Sequence, residues 1–147
     1  MTIFLGTDHA GFKLKEVLKE YLSKKGYDVQ DLGATTFNES DDYPDFIFPV
    51  AKKVAEDPRN NRGIILGGSG QGEAMCANRV KDVRAAVYYG FNSDIVKLAR
   101  EHNDANVLSL GARFLNESEA QEAVELFLRT GFSAEDRHGR RIRKLDV

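Results

Sequence analysis

Two hydrophobic patterns alternate along the chain. Short runs at residues 2–5, 27–32, 63–66, 84–88 and 106–110 have the length and bounding turn residues of strands. Between them lie segments of helical period. Residues 12–25 put Leu14, Val17, Leu18, Tyr21 and Leu22 on one stripe and stop at Gly26. Pro44 opens a second helix carrying Ile47, Phe48, Val50, Ala51 and Val54. A third starts at Gln71 or Gly72 and runs to about Val80. A fourth follows Ser93, a favoured N-cap type, and ends near His102. Ser118 is the expected cap of a fifth, running to Leu128 and broken by residues 130–132; residues 134–145 read as a last, strongly basic helix. Strand–helix alternation of this kind predicts an open parallel sheet of five strands with helices on both faces. With no internal repeat, low-complexity segment or long linker, residues 1–147 are expected to form one domain.

In such sheets ligands sit beyond the carboxyl ends of the strands, so the residues after each strand carry the functional signal. Strand one is followed by Gly6-Thr7-Asp8-His9-Ala10-Gly11, strand three by Gly67-Gly68-Ser69-Gly70-Gln71-Gly72-Glu73, and strand five by Gly111-Ala112-Arg113. Four of the chain's 13 glycines fall in residues 67–72. Glycine frees the backbone to converge its N–H groups on an anion, and the next helix adds its positive end. The loop suits a phosphate or a transient oxyanion. A tight turn alone would need fewer glycines. As a dinucleotide fingerprint the loop is misplaced, because that motif follows the first strand; no Walker lysine succeeds Gly72 either.

Glu73, in the first turn of the third helix, could merely complement the helix dipole. Beside an anion cradle it becomes a candidate general base, provided burial tunes its pKa. His9, His102 and His138 all lie in polar settings, and no two share a helix at zinc-binding spacing, so acid–base or phosphate roles fit better than a metal triad. Arg137 and Arg141 are four residues apart on the last helix and can face a phosphate together.

Composition narrows the function classes. A net charge of -2 carries no electrostatic signature for nucleic acid, and the single basic stretch has no aromatic residues interleaved. Cys76 alone cannot form an internal disulfide or a cysteine metal cluster, which fits a reducing cytoplasm, and its expected role is packing. The first residues lack the basic leader of a signal peptide, and no run approaches the ~20 apolar residues of a membrane span. No metal, cofactor, membrane or nucleic-acid partner is expected. A nucleotide-binding module is the rival of another class. It would need a ribose-binding acid after strand two, where Asp31 is loosely placed.

Asp8-His9-Ala10-Gly11, Asp42-Tyr43-Pro44-Asp45, residues 67–73, Ala77-Asn78-Arg79, residues 100–106 and Arg137-His138 with Arg141 together resemble the ribose-5-phosphate isomerase B family. That family also includes allose-6-phosphate and galactose-6-phosphate isomerases. The resemblance spans essentially the whole chain in the family's order. It implies a Rossmann-like α/β/α sandwich and a homodimer with sites at the subunit interface; the sequence does not decide between dimer and tetramer. It implies substrate contacts from Asp8, His9, Gly68, Ser69, Gly70, Gln71, Gly72 and Asn103, with Tyr43 lining the pocket. Arg113, Arg137 and Arg141 would hold the phosphate, some of them from the partner, His102 would open the sugar ring, and His138 would assist. Many members carry a cysteine base where this chain has Gly67. Another branch uses a glutamate at the start of the next helix, and this chain matches that branch at Glu73. The expected reaction interconverts ribose 5-phosphate and ribulose 5-phosphate through an enediolate, with a hexose 6-phosphate as the alternative substrate. Glu73 moves the carbon-bound proton, Ser69 and the loop N–H groups hold the oxyanion, and Asp8 stands by the ring oxygen.

Overall fold

A computed structural model describes residues 1–146. Five strands form one all-parallel sheet in the order β2-β1-β3-β5-β4. They are β1 (Thr2–Thr7), β2 (Asp28–Asp31), β3 (Arg62–Gly67), β4 (Ala85–Tyr88) and β5 (Val107–Gly111). Between and after them come α1 (Phe12–Lys24), α2 (Pro44–Glu56), α3 (Gln71–Ala77), α4 (Asp94–Asn103), α5 (Glu117–Arg129) and α6 (Asp136–Ile142), with a 3-10 turn at His9–Gly11. The central strands are buried on both faces, which is why Ile3–Leu5, Ile64–Leu66 and Val107–Leu110 read as unbroken runs rather than alternating ones. Edge strand β2 alternates exposed and half-buried positions.

Helices cover both faces, as expected. On one face Leu14, Leu18 and Leu22 of α1, Val96 of α4, and Val124 and Phe127 of α5 pack on the sheet. On the other, Ile47, Val50 and Val54 of α2 meet Cys76 and Ala77 of α3. Gly26, at φ +85°, ends α1 in the left-handed region where glycine is favoured.

Several boundaries differ from the sequence expectation. The cap of α5 is Asn116, not Ser118: its side chain accepts from the Glu119 N–H, and the Glu119 carboxylate accepts in return from the Asn116 N–H. Ser93 does precede α4 but makes no side-chain capping bond. Helix α3 ends at Ala77, and Asn78–Val80 continue only as tight turns. Helix α6 covers Asp136–Ile142, shorter than residues 134–145, because Ala134 (φ 57°) interrupts its start and residues 143–145 continue only as tight turns.

Lys15 departs from the pattern more sharply. It lies on the buried side of α1 with no exposed surface, and its ammonium reaches the Asp31 carboxylate at the end of β2. Asp31 also pairs with Lys19 at 2.9 Å and accepts from the Gly33 N–H at 3.0 Å. The acid that a ribose-binding module would need is thus committed to lysines.

The topology fixes where a site can form. The chain runs from β1 outward to β2, then crosses to the other side of β1 to make β3, so the strand order switches direction between β1 and β3. Crevices at such switch points open beyond the carboxyl ends of the strands. The Thr7 hydroxyl donates to the Leu66 carbonyl at 2.9 Å and ties the ends of the two strands together.

Candidate active site

The glycine loop after β3 and the turn after β1 meet at that switch point. Gly70 sits at φ +78°, and a side chain there would run into the Leu110 carbonyl carbon and the Ser109 hydroxyl, so the turn into α3 requires glycine. The Ser109 hydroxyl donates to the Gly70 carbonyl at 2.6 Å and anchors the turn. Among the described residues, the N–H groups of Gly68, Ser69 and Gly70 donate to no protein acceptor, and that of Gln71 makes only a long 3.4 Å approach to the Ser69 hydroxyl. Free backbone donors in a glycine-rich turn at the start of a helix are able to hold an anion.

Glu73 is the third residue of α3. At that position a glutamate commonly folds back onto the helix N-terminus, exposed to water. Here it turns inward and is only 4% exposed. Its carboxylate lies over Gly67, on the spot a Cβ of residue 67 would occupy. Burial pushes its pKa up, a hydrogen bond from its own backbone N–H opposes the shift, and the neighbouring Asp8 charge adds to it. The tuning required of a general base is therefore present. Asp8 is itself buried and accepts from the Ala10 N–H at 3.0 Å.

Other sequence candidates gather around this pair. The Tyr43 ring lies against the Gly72 backbone, and the Arg113 guanidinium lies against Gly68, while the Arg113 N–H donates to the Gly68 carbonyl at 3.1 Å. His9 follows Asp8, with its Nδ1 hydrogen-bonded to Asp41 Oδ1 at 2.7 Å. That bond holds the imidazole pKa above its usual value; partial burial opposes it, Asp8 reinforces it, and Arg113 opposes it. Asp41 was not legible as a site residue. It lies in the irregular loop before α2, and its one sequence signal is adjacency to Asp42-Tyr43-Pro44. Asp8, His9 and Asp41 offer ligand atoms within 4.8 Å of one another, but these atoms are largely engaged with each other and with the Ala10 N–H.

A second group lies elsewhere. Helix α4 starts beyond the carboxyl end of β4 and runs back about 15 Å, so its last turn reaches the amino edge of the sheet. There the carbonyls of Asn103 and Asp104 accept from Arg84, the residue just before β4. His102 stacks on His138 with ring centroids 4.3 Å apart. His138 is buried, its Nε2 has no partner among the described residues, and burial followed by the charges of His102 and Arg137 lowers its pKa. Arg137 and Arg141 are exposed on either side of it. Within one chain, then, His102, Asn103, Arg137, His138 and Arg141 stand at the opposite edge from Glu73, Asp8, His9, Tyr43, Arg113 and the loop Gly68–Gly72.

Cys76 is 6% exposed in the α2–α3 core, where burial and the Glu73 charge push its thiol pKa up. A thiol in that state is packing rather than nucleophile. Cys76→Ala is expected to keep kcat within about twofold and to cost about 1 kcal/mol of stability; steady-state assay and thermal melting check it.

Comparison with known proteins identifies the family and the fold. The family model for ribose/galactose isomerases matches residues 3–145. A probable ribose-5-phosphate isomerase B of Mycoplasma genitalium is 43% identical over 143 residues, covering 97% of this chain and 92% of that protein. The enzyme of Mycobacterium tuberculosis H37Rv, a ribose-5-phosphate isomerase B, is 40% identical over 142 residues, covering 97% and 86%. The crystal structure of the Mycoplasma genitalium enzyme with bound ribulose-5-phosphate superimposes with a TM-score of 0.93 at 43% identity, covering 98% of this chain and 93% of that one.

Proposed function

The chain belongs to the ribose/galactose isomerase family, and from that premise we propose that it interconverts ribose 5-phosphate and ribulose 5-phosphate, with Glu73 as the proton-transferring base. The observation that carries the assignment is the buried Glu73 carboxylate, raised in pKa, beside the free N–H groups of the loop after β3. Relatives at 40–43% identity named as ribose-5-phosphate isomerase B, one of them seen with ribulose-5-phosphate, support the substrate.

The chemistry needs one base and one oxyanion cradle. Glu73 takes the proton from C2 of the open aldose, and the C–H electron pair becomes the C1–C2 double bond. Charge collects on O1, where the loop N–H groups and the Ser69 hydroxyl stabilise it. Such a donor is worth about 3–4 kcal/mol of barrier. The O2 proton passes to O1, and Glu73 returns its proton to C1 to give the ketose. Asp8 stands beside the base and keeps its affinity for the proton high. Arg113 supplies positive charge at the same rim, with His9 beside it. Remote phosphate binding then holds the reacting carbons in place.

The edge-to-edge separation supports a homodimer in which the His102–Asn103 and Arg137–Arg141 groups of one copy face the Glu73 group of the other. In that arrangement His102 opens the sugar ring and the arginines grip the phosphate. Glu73→Gln and Arg137→Ala enzymes, each weak alone, are expected to recover about a quarter of wild-type activity when unfolded and refolded together, because half of the chains then pair to give one intact site. Absence of recovery would place both groups in one chain. The lone reduced thiol of Cys76 fits a cytoplasmic setting, and among the described residues no helix is long and apolar enough to cross a membrane. An isomerase assay over pentose and hexose phosphates tests the assignment; turnover confined to a hexose phosphate would move the substrate to the family's other members.

A further inference from the structure

Asp41 belongs to no helix or strand, yet its side chain keeps only 8% of its surface exposed. Its Oδ1 accepts twice from one residue, from the His9 backbone N–H at 3.0 Å and from the His9 ring at 2.7 Å. Its Oδ2 is buried and has no partner among the described residues. A carboxylate oxygen buried without a donor costs free energy, so the loop is held in this position against a local penalty. Such unfavourable placements concentrate at functional sites.

The consequence falls on His9. A carboxylate facing Nδ1 keeps the proton on that nitrogen, so the ring has one orientation and one neutral tautomer. Nε2 is left as the atom free to meet a ligand, on a side chain that is 28% exposed. The charged groups facing the ring are Asp8 from the end of β1, Asp41 from the loop before α2 and Arg113 from beyond β5. We propose that Asp41 is a positioning residue of the isomerase site, fixing His9 through Nδ1 so that Nε2 is the atom presented to the phosphorylated sugar. This rests on the assignment of His9 to substrate contact.

The test compares wild type, Asp41→Asn, His9→Gln and the double variant. Asparagine keeps the oxygen that faces both the His9 backbone N–H and Nδ1 but removes its charge, and near-ultraviolet circular dichroism verifies that the loop and fold persist. Long-range proton–nitrogen spectra of the imidazole report tautomer and titration directly, in the absence of substrate. The expected result for Asp41→Asn, whose neutral oxygen holds the Nδ1 proton less firmly, is a larger share of the other tautomer, a His9 midpoint moved to lower pH, and a kcat/KM lower by roughly 5–10-fold, the difference between a hydrogen bond to a charged and to a neutral acceptor. In the His9→Gln background the same substitution is expected to add nothing. An unchanged His9 tautomer and midpoint in Asp41→Asn overturns the positioning role. A full loss superimposed on that of His9→Gln overturns it too, since Asp41 would then act independently. If His9→Gln retains wild-type kcat/KM while the spectra show the fixed tautomer, the substrate assignment of His9 fails, and the proposal with it.

Discussion

Glu73→Gln is expected to lower kcat by about 10²–10⁴-fold, the usual worth of a positioned general base, while ribose 5-phosphate still binds. Glutamine has the same shape, so it can occupy the space over Gly67 without disturbing the glycine loop. Only the ability to accept a proton from carbon is lost. Because burial raises the pKa of Glu73, the acid limb of the wild-type kcat/KM profile is expected above the ordinary carboxylate range: activity falls as pH drops through that raised value and the base becomes protonated. The stability sign is the opposite of that for a salt-bridged acid. A group whose folded pKa is raised favours folding when protonated, and that contribution fades as pH rises through the folded value. The variant is therefore expected to melt no lower than wild type at neutral pH. Steady-state kinetics, inhibitor binding and a melting curve check the three parts. Near-normal turnover would remove Glu73 as the base.

The largest loss of stability is expected from Asp31→Ala. It strands the Lys15 ammonium, which has no exposed surface, with only the partly exposed Glu16 carboxylate at 3.0 Å. Removing one partner of a buried ion pair typically costs about 3–5 kcal/mol, which for a chain of this size means a melting temperature lower by roughly 6–20 °C. Burial pushes the Asp31 carboxyl up, but hydrogen bonds from Lys15, Lys19 and the Gly33 N–H outweigh it and hold its pKa below the usual value. A depressed folded pKa stabilises above the unfolded pKa and loses that contribution as pH falls through the folded one. The gap between wild type and variant should thus be full at neutral pH and close in acid, below about pH 4. Melting curves across that range measure it. Replacing both partners, as in Lys15→Met with Asp31→Leu, should recover most of the loss. A gap of less than about 1 kcal/mol at neutral pH would show that water reaches Lys15.

Much of this architecture could be read from the chain because its local signals agree. Continuous apolar strands, striped helices and glycine at the turn into α3 all point to one sheet, and the residues at its carboxyl edge follow from topology. What escaped has physical causes. Lys15 reads as a solvated lysine because the acid that holds it is 16 residues away, on another element. Asp41 reads as loop polarity because its partner, His9, lies 32 residues earlier and meets it only when β1 and β2 lie side by side. Ser118 and Asn116 are both good cap types, and the reciprocal bond with Glu119 selects Asn116. The return of α4 to the amino edge, away from Glu73, follows from the parallel sheet itself; the stacking of His138 on His102 joins two separate elements and had no local signal.

The carboxylate of Glu73 and any side chain on residue 67 compete for a single seat above β3. A thiol grown from the strand and an acid arriving from the helix are therefore mutually exclusive tenants. Exchange between a thiol at residue 67 and the acid at residue 73 would demand coordinated change at both positions, since adding the thiol alone would evict the acid and removing the acid alone would leave the seat empty. The bare glycine at residue 67 is thus what leaves room for the buried acid that leans over it.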